Sequence, residues 1–266
     1  MSLRTAVKYI DLTFEIKKRN LLSEMEYRVS FLLQMIGMIT NDLGWLAVWL
    51  MVFARFPNLN GWTSNELIIF QSVTALAWGL VYFFASGADM ISTYITEGTM
   101  DHFLTFPKNL LWHISISETY VSSLSDIIFA LGLFAFSKDV SITGYLILIT
   151  VGVLAALVAY SFMVIANTLT FFFGNFKQGA WSLINAFAHL TDSPQSVYKG
   201  GLKFISIFIL PAFFVGMVPV TLIKSFTLGQ FGLLILAVLA ILFIAIKFFY
   251  FGLKRYESGN LININL

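Results

Sequence analysis

The chain has 266 residues, of which 58% are hydrophobic and 11% are charged, and its formal net charge is +2. So few charged residues cannot cover the surface of a water-soluble globule, which makes this a membrane protein rather than a soluble domain. The absence of cysteine excludes disulfide bonds and metal sites built on thiolates.

The first 28 residues lack the apolar core of a signal peptide. Their apolar residues recur at spacings of three, four and seven, at Leu3, Val7, Ile10, Phe14, Leu21 and Met25. This spacing predicts an amphipathic helix over residues 1–28 that lies on the membrane, with Lys17, Lys18 and Arg19 against anionic headgroups. A solvated basic segment leading into the first span is an equally good interpretation.

Six apolar runs follow, each near the roughly 20 residues that a helix needs to cross a bilayer core of about 30 Å. They cover Val29–Phe53, Leu67–Ser86, Ile114–Phe136, Ile142–Phe173, Leu202–Val218 and Phe231–Phe251. We therefore predict an all-α polytopic membrane protein, with six transmembrane helices over residues 29–253 and a tail over 254–266. The short fifth run is followed by Pro219 and more apolar residues, which indicates an external re-entrant segment at about 211–226.

The Lys and Arg residues predict the orientation of these spans. Six spans place both termini on one side, together with the loops at 87–113 and 174–203. Of the 16 Lys and Arg residues, all but Arg55, Lys138 and Lys224 lie on that side. Since positive charge is retained in the cytoplasm, both termini are expected there, in a multi-pass protein of the cell membrane.

Polar residues within the spans predict which helix faces point into the bundle. An aspartate near the middle of a span costs on the order of 2.5–3.5 kcal/mol unless it faces protein or water. The candidates are Asp42 beside Asn41 in the first span, Glu118, Ser122 and Asp126 at four-residue spacing in the third, and Asn167 in the fourth. Either they line a translocation path or they hydrogen-bond between helices, and we favour the second interpretation.

The loop after the second span combines apolar spacing with acidic groups and ends at Pro107. Its apolar positions are Ile91, Ile95, Met100, Phe103 and Leu104, while Glu97 and Asp101 stand four residues apart. This pattern predicts a short helix that docks onto a soluble partner. An interfacial helix that contacts only lipid is the alternative.

Enzyme motifs are missing from the sequence. It has no P-loop, no H-E-x-x-H, no G-x-S-x-G and no G-x-G-x-x-G motif, and its S-x-x-K match from Ser196 to Lys199 lacks the companion elements. His102, His113 and His189 share no helical spacing that would suit a metal ion. We therefore expect no catalytic site, metal or bound cofactor on this chain.

Three segments resemble the type-2 ABC exporter permeases, in particular a six-span subfamily. The loop carries an I-x-x-G-x-x-D-x-x-L-x-x-P pattern at Ile95, Gly98, Asp101, Leu104 and Pro107. The segment from Gly252 to Asn260 resembles the basic Y-E-S-G-N-type tail of that subfamily, and Leu210 to Pro219 resembles its external segment. Phe106 departs from the pattern, because many relatives carry a basic residue there.

The resemblance implies a permease subunit that docks onto a separate ABC-class ATPase, where ATP and Mg would be bound. The implied contact residues are Ile95, Glu97, Gly98, Asp101, Phe103, Leu104 and Pro107. A second permease subunit, identical or paralogous, and the lipid bilayer are the other expected partners, and nucleic acid is not expected. An ion-coupled secondary carrier that uses Asp126, Glu118 and Asp42 is the alternative function, and the cargo stays open between drug, peptide, lipid and polysaccharide.

Overall fold

The computed structural model describes residues 3–59, 61–194 and 198–257. Throughout these residues the regular structure is helical and no β-strand occurs, which confirms the predicted all-α class. The α-helices are α1 Leu3–Glu26, α2 Arg28–Arg55, α3 Ser64–Phe84, α4 Ile91–Thr96, α5 Met100–Leu104, α6 Leu110–Ser117, α7 Ser123–Phe134, α8 Ile142–Thr168, α9 Thr170–Phe173, α10 Lys177–Thr191, α11 Gly200–Phe204, α12 Met217–Lys224 and α13 Leu228–Leu253.

Within the described residues, four helical stretches are long and apolar enough to cross a membrane. They are α2, α3, α13 and the stretch Ile142–Phe173 formed by α8 and α9. These stretches match the first, second, sixth and fourth predicted spans to within a few residues. They confirm a polytopic membrane protein, whereas the total of six spans remains a prediction.

The third predicted span, Ile114–Phe136, is not one continuous helix. Helix α6 ends at Ser117 and α7 begins at Ser123, and the residues between them, which we call the 118–122 break, are not helical. Near the break, hydroxyl side chains form hydrogen bonds to the backbone that compete with continuation of the helix. For example, Ser123 Oγ donates to the carbonyl oxygen of Tyr120 at 2.5 Å. The prediction that Glu118, Ser122 and Asp126 form a polar stripe on one helix face was wrong, because Glu118 and Ser122 both lie in the break.

The fifth predicted span, Leu202–Val218, is also interrupted. The helical segments Gly200–Ile209 and Ala212–Lys224 meet at an angle of 75°. Pro211 lies at the bend, where it supplies no backbone N–H to continue the helix. This geometry fits a broken span or a re-entrant loop.

The segment 174–203, predicted as a cytoplasmic loop between spans, contains helix α10. Its Phe187 ring stacks on Phe162 of α8 with centroids 4.5 Å apart and meets Trp78 of α3 edge to face at 5.8 Å. The indole Nε1 of Trp78 donates to Thr191 Oγ1 at 2.8 Å. One face of helix α10 therefore packs against α3 and α8.

Helix α3 lies at the centre of the packing, between α7 and α8. A glycine permits close approach on each side: a Cβ at Gly79 would lie 3.0 Å from the Cβ of Asp126, and a Cβ at Gly152 would lie 2.5 Å from Leu76 Cδ2. This contact brings the buried carboxyl of α7 directly against α3.

Candidate functional site

The loop between α3 and α6 contains two short helices, α4 and α5, rather than one. Gly98 separates them with a φ of +69°, a left-handed conformation that residues with a side chain rarely adopt. The hydroxyl of Tyr256, just after α13, donates to the carbonyl oxygen of Gly98 at 3.2 Å. The turn between the two helices is thus tied to the end of the last long helix.

The apolar residues of this loop divide into an inner and an outer set. Ile91, Ile95 and Met100 are buried in the core of the bundle, so their side chains are not free to meet a partner. Leu104 and Phe106 are exposed at the tip of the loop. Phe103 is half-buried between them, against the ring of Tyr94 at 5.0 Å. Pro107, also exposed, follows at the end of this tip.

Both acidic residues of the loop have partners within the chain. Glu97 pairs with Lys177 of α10 at 3.7 Å, an exposed contact of small energetic value. The hydroxyl of Tyr256 lies beside the Asp101 carboxylate. Burial and then this carboxylate raise the pKa of Tyr256 to about 12.

A cavity of about 510 Å³ lies between α4, the end of α9 and the segment after α13. Glu97, Lys177 and Arg255 line it. The guanidinium of Arg255 rests over the ring of Phe172 at 4.8 Å, a cation–π contact that fixes the start of the tail. Of the predicted tail motif, Tyr256 and Glu257 are described, and Ser258, Gly259 and Asn260 lie outside the described residues.

The N-terminal helix contacts the 118–122 break through Lys17, which is 3% exposed. Its ammonium donates to the carbonyl oxygen of Glu118 at 2.5 Å and to Thr119 Oγ1 at 3.1 Å. Asn20 donates to the carbonyl oxygen of Ser117 at 2.9 Å. These bonds satisfy carbonyl groups left free at the end of α6.

The expected position of Lys17 among lipid headgroups was wrong, whereas Lys18 and Arg19 are exposed. Burial lowers the pKa of Lys17 to about 8, against the opposing effect of the Glu118 charge. This contact could not be predicted, because a lysine within a basic run is usually solvated.

Further bonds join α1, the loop and the break into one unit. The hydroxyl of Tyr94 in α4 donates to Glu118 Oε1 at 3.1 Å. The backbone N–H of Asn109 donates to the hydroxyl of Tyr9 in α1 at 2.9 Å. Glu118, predicted as a candidate path residue, is therefore part of the connection between the loop and the third predicted span.

The remaining polar candidates lie in two separate places. Asn167 is buried and donates to the carbonyl oxygens of Ala88 at 3.2 Å and Met163 at 3.0 Å, which holds α8 against the short turn that follows α3. Asp42 of α2 and Asp126 of α7 lie within electrostatic reach of each other. Asp192, which the sequence reasoning missed, lies within electrostatic reach of Asp42.

A family model described as ABC-2 family transporter protein matches residues 39–259. The match runs from within α2 to the segment after α13, and so includes the loop, the break and the carboxyl groups. Comparison with curated proteins finds no match, and comparison with solved structures finds none either.

Proposed function

The chain belongs to the ABC-2 family of transporter proteins, and from that premise we propose that it is the permease subunit of an exporter whose ATPase is a separate cytoplasmic protein. The observation that carries this proposal is the exposed tip of the loop, Leu104 to Pro107. The rest of the loop is hydrogen-bonded to Glu118 and to Tyr256. Since the sequence has no P-loop, ATP and Mg are assigned to the partner.

In this function the loop contacts the ATPase and transmits its movement to the membrane helices. Leu104 and Phe106 offer the apolar surface for docking. Movement of α4 would act on Glu118 through the hydroxyl of Tyr94. The 118–122 break lets α7 change its angle to α6 without unwinding a helix, so the proposal treats it as the hinge of the third span.

The proposal also includes a second permease subunit, identical or paralogous, and a position in the cell membrane with both termini in the cytoplasm. Support comes from the many large apolar side chains that α2 and α13 leave exposed, among them Leu33, Met51, Leu236 and Phe243. Lipid and a second subunit can share such surfaces.

A secondary carrier is the second candidate, favoured by the proximity of Asp42 and Asp126. Buried carboxyl groups in spans often serve ion transport. This function predicts transport that needs an ion gradient and continues when ATP is depleted. Loss of transport on ATP depletion alone excludes it.

The test is affinity purification of the tagged full chain from its native membrane in mild detergent, with an ATPase assay of the co-eluting proteins. The proposal expects a P-loop ATPase in stoichiometric amount, and expects Leu104→Asp to reduce its recovery. Val140→Asp is the matched control, because Leu104 is 47% and Val140 48% exposed. The two residues lie at opposite ends of α3: the N–H of Lys138, near Val140, donates to Asn65 at the start of α3, whereas Leu104 lies in the loop after its end. A chain that elutes without an ATPase, or equal recovery with both variants, would contradict the proposal.

A further inference from the structure

We propose that the cavity of about 510 Å³ at the start of α10 binds the phosphate group of an anionic phospholipid. The acyl chains of this lipid lie against the aromatic rings at the ends of α9 and α13. We call this cavity the phosphate site. The site does not depend on the proposed permease function, which concerns the tip of the loop and a separate ATPase.

The first turn of α10 offers backbone N–H groups that have no hydrogen-bond partner. The first N–H of this helix that donates is that of Ala180, to the carbonyl oxygen of Phe176 at 2.8 Å. The N–H groups of Lys177, Gln178 and Gly179 come before it and donate to no group in the part of the chain that the structure describes, and Phe176 at the N-cap has no side-chain acceptor for them. The start of a 15-residue helix also carries partial positive charge, so it suits a phosphate oxygen.

Two cationic side chains, Lys177 and Arg255, line the same cavity. The guanidinium of Arg255 rests over the rings of Phe172 at 4.8 Å and Phe251 at 5.8 Å. Among the described residues it forms no ion pair, since the pairs there involve other side chains. Its N–H groups are therefore available to a phosphate, which a guanidinium binds through two parallel hydrogen bonds.

Two carboxylates, Glu97 and Glu257, also line the cavity. Glu97 is held by Lys177 at 3.7 Å, in an exposed pair that contributes little energy, so a phosphate can replace it as the partner of Lys177. Glu257 is exposed to solvent, which screens its charge. Arg255 and the start of α10 therefore remain the uncompensated positive groups of the phosphate site.

A buried hydroxyl group at the wall of the cavity also lacks a partner. Thr170 lines the cavity and is 1% exposed, and its Oγ1 makes no hydrogen bond. Thr168, two positions earlier, instead donates to the carbonyl oxygen of Val164 at 2.7 Å. Buried hydroxyl groups without a partner are rare in folded proteins. A phosphate oxygen that reaches this wall supplies the acceptor that Thr170 lacks.

The position of the cavity favours a lipid over a soluble phosphate compound. Two stretches that are long and apolar enough to cross a membrane end beside it, at Phe173 and at Leu253. The rings of Phe173 and Phe251 are 67% and 53% exposed at these ends, and they offer an apolar surface to acyl chains. Basic groups at the ends of membrane helices attract anionic headgroups. The phosphate site thus combines a polar cavity with an apolar border of the kind that a phospholipid requires.

The test measures the melting temperature of the purified full chain in neutral detergent micelles that contain a rising mole fraction of phosphatidylglycerol. Lipid that binds the folded protein raises the melting temperature, and the half-maximal mole fraction reports the affinity. In Arg255→Gln this mole fraction should rise about tenfold, as expected for the loss of one charge-assisted hydrogen bond. Lys254→Gln is the matched control and should respond as the wild type does, because Lys254 is exposed one position earlier and does not line the cavity.

Lys177→Gln gives a second comparison, and its half-maximal mole fraction should rise in the same direction. An unchanged value in both cavity variants would overturn the proposal. Equal stabilisation by phosphatidylcholine, whose headgroup has no net charge, would also overturn it. Glycerol 3-phosphate carries the phosphate without acyl chains, and stabilisation by this compound would assign the cavity to a soluble phosphate instead of a lipid. Because no ATPase takes part, a failure here is distinct from a failure of the co-purification that tests the proposed function.

Discussion

The buried ammonium of Lys17 donates to the carbonyl oxygen of Glu118 at 2.5 Å, across a sequence separation of 101 residues. This bond fastens the N-terminal helix to the interruption in the third predicted span. Glu118 also accepts from Tyr94 of the loop, so one residue connects α1, the loop and the break.

Replacement of Lys17 by alanine should destabilise the protein. The carbonyl oxygen of Glu118 would lose its charged donor in a buried position, which typically costs about 1–3 kcal/mol. Thermal unfolding of the purified protein in detergent measures the effect. Lys18→Ala is the matched control, since Lys18 is exposed one position away, and equal melting temperatures for the two variants would show that the bond does not stabilise the fold.

The Lys17 contact also predicts a dependence of stability on pH. Its pKa is about 8 in the folded protein and 10.5 ordinarily, so the unfolded chain binds more protons between these values. The contribution of Lys17 to the free energy of unfolding therefore rises as the pH increases from about 8 to 10.5. Lys17→Met should remove that rise, measured as the difference in melting temperature between wild type and variant at both ends of the window. A difference that stays constant would contradict the lowered pKa.

Gly98→Ala should weaken the turn between α4 and α5. A φ of +69° costs a residue with a Cβ about 1–2 kcal/mol. Gly132→Ala, in α7 with open space around its Cβ position and an ordinary helical φ, should be neutral or slightly stabilising. Melting temperature and recovery of the ATPase are measured on both variants, and a Gly98 variant as stable and as well coupled as the Gly132 variant would refute the importance of the turn.

The orientation can be tested with single cysteines, because the chain has none of its own. Phe106→Cys at the tip of the loop should be protected from a membrane-impermeant maleimide in intact cells and labelled after permeabilisation. Val140→Cys, exposed at the other end of the bundle, should be labelled in intact cells. The reverse pattern would overturn the orientation inferred from positive charge.

The long membrane helices could be predicted from the sequence because each carries an apolar run of bilayer length. The 118–122 break could not, since Glu118 and the neighbouring hydroxyl residues are short interruptions within an otherwise apolar run. Helix α10 was missed for a related reason. It buries only one face, which includes Phe187, while Gln178 and Asn185 keep the segment too polar to resemble a span.

The candidate site could be predicted only in part. Asp42 and Asp126 were each singled out because a carboxyl in a span must face protein, but their meeting depends on how α2 packs against α7. Lys17 was expected at the headgroups, because a sequence cannot tell which member of a basic run a distant carbonyl group will bind.

Cross-linking from the tip of the loop tests the central claim most directly. With a photoreactive maleimide attached to Leu104→Cys in native membranes, we expect a cross-link to a P-loop ATPase, and none from the matched Val140→Cys. A Leu104→Cys protein that forms no such cross-link while the tagged complex remains assembled would contradict docking through this loop.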